Sequence, residues 1–110
     1  MKSDKERFLD VLEAIERIEK YSGQGKTLFD DEELIQNWIL HHLQIIGEAL
    51  SKISHSTKKD NPEIPWKKIK GMRNILVHDY FGIDTKIVWN VVENELPSLK
   101  IEITTLINKL

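Results

Sequence analysis

Apolar residues recur along this chain at three- and four-residue intervals, and the stripes they draw predict helices almost from end to end. Phe8, Val11, Leu12, Ile15 and Ile18 share one face of a helix from about Asp4 to Tyr21, with Glu6, Glu13, Glu16, Arg17 and Lys20 mostly off that face. Ser22-Gly23-Gln24-Gly25 should end it, through the φ freedom of glycine. Asp30, followed three residues later by Glu33, has the chemistry of an N-terminal capping box, so the second helix is expected from Asp30 to about Ile53. Its apolar stripe, which includes Leu34, Trp38, His42, Leu43, Ile46, Leu50 and Ile53, is too wide for one neighbour and predicts packing on two sides. Gly47 in its middle costs about 1 kcal/mol against alanine, and is read either as a close approach of another backbone or as a tolerated accident.

Residues 54–65, with Pro62 and Pro65, predict a loop, and Pro65 suits the start of a third helix running from Trp66 to about Val77 with Trp66, Ile69, Met72 and Leu76 inward. Gly82 should break that helix. Asp84 then caps a fourth helix, Thr85 to Glu95, and Pro97 is expected to end it and open a fifth. No strand alternation and no internal repeat interrupts this pattern. The expected fold is all-α, an up-down antiparallel bundle of four to five helices in a single domain spanning 1–110.

Length supports the same picture. A chain of 110 residues, 40% of them apolar, buries roughly two thirds of its unfolded surface without cross-links. The absence of cysteine excludes disulfides, thiol catalysis and cysteine-based zinc. Short apolar runs and the charged start MKSDKERF predict no membrane span and a cytoplasmic protein.

Charge changes the picture through its distribution. The net charge is only −2. Residues 52–73, however, carry 7 Lys/Arg against 2 Asp/Glu, namely Lys52, Lys58, Lys59, Lys67, Lys68, Lys70 and Arg73 against Asp60 and Glu63. A cluster of that density is either a solvated surface or a holder of phosphates.

Candidate chemistry is sparse elsewhere. His41 and His42 point about 100° apart on a helix and do not chelate one ion, and His42 on the apolar stripe reads as a satisfied core or interface residue. No role is assigned to His41, His42 or His55, and no metal site is expected. Common hydrolase and nucleotide-binding signatures are absent. The unusual stretch is Arg73-Asn74-Ile75-Leu76-Val77-His78-Asp79-Tyr80. On an unbroken helix Arg73 and Tyr80 would lie about 20° apart, but Arg73 and His78 about 140° apart. They share a site only where the helix ends or turns near His78, or where two copies face each other. Such a set suits metal-free phosphodiester cleavage: an imidazole with a reference pKa of about 6.5 moves a proton, a guanidinium holds the phosphate, and RNA supplies its own 2′-hydroxyl nucleophile. The same three side chains equally describe a cap, a helix-dipole partner and a packed aromatic.

The string Arg73-x4-His78-x-Tyr80 resembles the RX4HXY motif of the HepT-like branch of the HEPN superfamily, small all-α domains. The stretch Leu43-Gln44-Ile45-Ile46-Gly47-Glu48-Ala49-Leu50 is similar to that branch's IIGEAL-type segment, and Arg73-Asn74 and the Asp84 after Tyr80-Phe81-Gly82-Ile83 also fit. The resemblance implies a homodimeric, metal-independent endoribonuclease, the toxin of a type VII toxin–antitoxin pair, with two motif copies lining one cleft. It implies Arg73 and His78 as catalytic residues, Asn74 as a supporting one and Tyr80 as the site of AMPylation by an MntA-like minimal nucleotidyltransferase antitoxin. No cofactor is implied; ATP enters only as AMP donor to that partner. The second class of function is a non-catalytic module that binds a nucleotide, RNA or the nucleotidyltransferase through the same cleft.

Overall fold

The computed structural model describes residues 2–67, 69–70 and 84–110, and every regular element among them is helical. Helix α1 (Asp4–Ser22) starts on the Ser3 side chain, which accepts the Glu6 N–H at 3.2 Å, and buries Phe8, Val11, Ala14, Ile15 and Ile18. Gly23 keeps a right-handed helical φ of −62°, and the conformational freedom expected of this turn is used at Gly25 alone, where φ is 106°.

The second helix begins later than expected. The chain from Gly25 first forms a short helix, α2 (Lys26–Asp31), and α3 (Glu33–Ser51) starts only after Glu32, whose extended backbone separates the two. Asp30 is therefore inside α2, its carboxylate 2.7 Å from Lys26, and no capping box forms with Glu33. The reason is Phe29, which is buried beside Trp89 with ring centroids 5.1 Å apart and fixes α2 against the domain. Along α3, Ile39, His42, Leu43, Ile46, Gly47 and Leu50 are buried. The edge of the predicted stripe is exposed, Leu34 to 82%.

The segment 54–65, expected to be a loop, contains helix α4 (His55–Asp60). That helix buries no side chain, so hydrophobic periodicity is blind to it. It is held by hydrogen bonds instead. Ser54 caps it by accepting the Thr57 N–H, and Asp4 from the start of α1 accepts from the Ser54 N–H at 3.0 Å and from the Ser54 and Thr57 hydroxyls, each at 2.6 Å. Partial burial opposes ionisation of Asp4, but these hydrogen bonds outweigh it and hold the carboxyl below its usual range.

Replacing Asp4 by alanine is expected to cost about 1 to 2 kcal/mol near neutral pH, the worth of one or two charge-assisted hydrogen bonds at a half-buried position. Because the folded pKa is depressed, this stabilisation is complete above the unfolded value of about 3.9 and is lost as pH falls through the folded one. Urea unfolding of wild type and Asp4→Ala at a series of pH values should show two midpoints that converge on acidification. A gap independent of pH would overturn the assignment.

Residues 66–67 and 69–70 are helical, with the Ile69 N–H bonded to the Pro65 carbonyl at 3.0 Å, so Pro65 heads this helix as its sequence position predicts. Ile69 is buried and Trp66 half-buried; Met72, Leu76 and Val77, predicted for the same helix, lie outside the described residues, as does the break expected at Gly82. Asp84 caps α5 (Thr85–Asn90) by accepting from the Lys86 and Ile87 N–H groups at 3.1 and 3.2 Å.

Pro97 does not divide two helices. The chain runs on from α5 through a π-helical turn, Val91–Glu95, into α6 (Leu96–Lys109) without leaving helical geometry. In a regular α-helix the proline ring would strike the carbonyl four residues back. The widened turn, in which the Leu96 N–H reaches the Val91 carbonyl, makes room for Pro97 in the first turn of α6.

Helix α1 packs against α3 and α6, and α2 against α3. Two long-range links set α1 and α3 antiparallel: Asp4 to Ser54 at one end, and the Trp38 indole N–H to the Arg17 carbonyl, 2.9 Å, at the other. Lys100 of α6 meets Glu19 of α1 at 2.7 Å. The fold is thus the expected all-α helical bundle.

Candidate functional site

Arg73, Asn74, His78 and Tyr80 all lie outside the described residues, as does Lys68. What surrounds them in the sequence is described on both sides. Upstream stands the helix that begins at Trp66; downstream stands the Asp84 cap of α5.

The structure sorts the basic segment. Lys58 from α4 and Lys67 and Lys70 from the following helix line one cavity of about 220 Å³, whose other walls include Gly47 and Leu50 of α3 and Trp66 and Ile69. The Trp66 indole N–H donates to the Asn61 carbonyl at 3.0 Å, which fixes the ring, and the Lys58 ammonium stands 5.9 Å from its centroid. Gly47 is buried in α3 and forms part of this wall. Lys59 does not line the cavity, and Lys52 turns to Glu48, 4.0 Å away. Charge counting picks out the lysines; the indole and the glycine beside them carry no charge signal and emerge only from packing.

A larger groove of about 680 Å³ runs between α1 and α3, past His41 and His42. Its charges are largely matched internally: Lys2 with Asp10, Arg17 with Glu13 and Lys52 with Glu48. His42 is 5% exposed, its Nδ1 2.7 Å from the Trp38 carbonyl and its ring against that of Trp38, which is the satisfied core role expected of it. His41 and His55 are exposed. Among the described residues no three His, Asp or Glu side chains gather as a metal set. Glu102, disfavoured as a carboxylate first by partial burial and then by the nearby Glu63 charge, has its pKa raised.

The all-helical fold, the glycine-bearing stretch of α3 and the Arg73-x4-His78-x-Tyr80 string converge on one comparison. The model of the family "Ribonuclease HepT-like" matches residues 11–106. The chain belongs to the HepT-like ribonuclease family of the HEPN superfamily. It is 38% identical to "Probable ribonuclease HepT" of Thermococcus cleftensis over 90% of this chain and 91% of that one. It is 35% identical to "Putative RNase MJ1380" of Methanocaldococcus jannaschii over 93% of this chain and 95% of that one. Another protein of M. jannaschii, "Gamma-glutamylcyclotransferase and putative RNase MJ0434", is 35% identical over the whole of this chain and half of its own length. No solved structure matches this chain. Membership in the HepT-like family, together with these relatives' names, supports a ribonuclease-type function. None of the described helices is long and apolar enough to cross a membrane.

Proposed function

We propose that this HepT-like protein is the toxin of a toxin–antitoxin pair, a cytoplasmic endoribonuclease that works without a metal, as a homodimer in which two copies of the motif line one cleft. The reading is carried by one observation: Arg73, His78 and Tyr80 stand at the spacing of the RX4HXY motif within a chain matched by the family over residues 11–106. In the proposed reaction His78 takes the proton of the RNA 2′-hydroxyl, whose oxygen attacks the adjacent phosphorus. Arg73 holds two phosphate oxygens and stabilises the charge that builds on them. The 5′-oxygen leaves with a proton returned by an imidazolium, so the products are a 2′,3′-cyclic phosphate and a 5′-hydroxyl. Asn74 orients the phosphate or the imidazole. A partner nucleotidyltransferase of the MntA type moves AMP from ATP to the Tyr80 hydroxyl, releasing pyrophosphate. The adduct places an anionic phosphate and an adenosine in the cleft, which lowers its positive potential and blocks RNA.

The test joins activity and modification. Purified protein incubated with RNA and a chelator is expected to release fragments ending in 2′,3′-cyclic phosphate. Protein from cells that also carry the transferase should gain the mass of one adenylyl group, stop cutting RNA, and show neither change as Tyr80→Phe. Intact RNA in the first experiment would overturn the ribonuclease mechanism in favour of a non-catalytic module. An unchanged mass, with active transferase and ATP present, would overturn control by AMPylation.

A further inference from the structure

We propose that the cavity between α3, α4 and the helix beginning at Trp66 is a binding subsite for the phosphodiester backbone of RNA, with Lys67 and Lys70 as its phosphate-holding cations and Lys58 on the Trp66 indole as its third charge. The inference rests on the reading that this protein acts on RNA. It adds residues outside the RX4HXY motif.

The lysines of this cavity differ from several others in having no paired acid among the described residues. Lys2, Lys26, Lys52 and Lys100 each stand within salt-bridge distance of a carboxylate. Among the described residues no carboxylate lines this cavity or pairs with Lys58, Lys67 or Lys70. Three lysines from two elements line the same cavity, and their like charges repel one another. An anion relieves that repulsion, whereas most cations of the larger α1–α3 groove are already paired with its own acids.

The cavity's size suits a small anion. About 220 Å³ holds on the order of seven waters by liquid volume, or one phosphate with part of its sugar, and is too small for a peptide helix or a folded partner. The cavity's cations among the described residues are all lysines. Lysine is a point charge without the planar fork of arginine, so the site recognises charge rather than base identity, which is what backbone positioning requires. Lys70 also lies three residues before Arg73 in the sequence, so this subsite adjoins the cleavage motif along the chain.

The test is binding of a 2′-O-methyl RNA oligonucleotide, which lacks the nucleophile and cannot be cut, measured by fluorescence anisotropy over a range of salt. Lys67→Ala/Lys70→Ala changes two exposed side chains; Lys5→Ala/Lys109→Ala removes the same charge elsewhere, and circular dichroism confirms the fold of both. The first pair is expected to weaken binding by about tenfold or more and to flatten the slope of log affinity against log salt by about 1.4, two single-strand phosphate contacts; the second should change neither. Equal losses in both variants, no loss in the first, or no binding by wild type would overturn the subsite. Wild type that binds through Lys67 and Lys70 but leaves ordinary RNA uncut would overturn the ribonuclease mechanism and leave the subsite standing.

Discussion

His78→Ala is expected to lower the rate of RNA cleavage by about 100- to 10,000-fold, the usual span for removing a positioned general acid–base group. Expression of the wild-type chain alone should arrest growth, and the variant should relieve that arrest. The substitution leaves the lysines of the basic cavity untouched, so affinity for an uncleavable RNA should stay near the wild-type value while turnover falls. That split identifies an interaction made in the transition state, not a general loss of binding. A structural role for His78 gives a different signature. Losing a buried hydrogen-bond partner would lower the unfolding free energy by about 1 to 3 kcal/mol and reduce binding and cleavage together through the folded fraction. Urea unfolding beside the kinetic assay separates the two, and a stable variant that cuts RNA at the wild-type rate would remove His78 from the mechanism.

Phe8→Ala should produce the largest loss of stability, about 3 to 5 kcal/mol. Phe8 is fully buried on the face of α1 that carries Val11, Ile15 and Ile18, and α1 meets both α3 and α6. Truncating it removes apolar contact and leaves a cavity that a close-packed core collapses only in part. Domains of this size are stable by about 5 to 15 kcal/mol, so the variant would sit close to its unfolding threshold. Leu9 is the control. It is the adjacent residue, equally apolar, but 45% exposed, and Leu9→Ala should stay within about 0.5 kcal/mol of wild type. Urea midpoints that fall equally for both variants would contradict the placement of the α1 stripe.

The contrast between Phe8 and Leu9 also shows how much of the fold is legible in the sequence. Period-3.6 patterning alone places Phe8, Val11, Ile15 and Ile18 inward, and the acceptor chemistry of Asp84 marks the start of α5. The same reasoning fails at Asp30, where capping chemistry is present but the Phe29–Trp89 contact decides that the chain is already helical. It fails at α4, which has no apolar face, and at Pro97, where a π-helical turn absorbs a residue that local rules treat as a stop. In each case a tertiary contact or a widened turn outweighs a local preference worth about 1 to 3 kcal/mol.

The candidate site divides the same way. The sequence by itself determined the helical class, the inward stripes, the basic segment 52–73 and the Arg73-x4-His78-x-Tyr80 string, because each is a pattern of near neighbours written in side-chain chemistry and period. Only the tertiary structure decided that Lys58, Lys67 and Lys70 share a cavity with Trp66 and Gly47 while Lys52 turns away to Glu48. Those contacts join residues far apart in the sequence through helix packing, and the depth of a stripe or a count of charges carries no information about which distant face will lie against it.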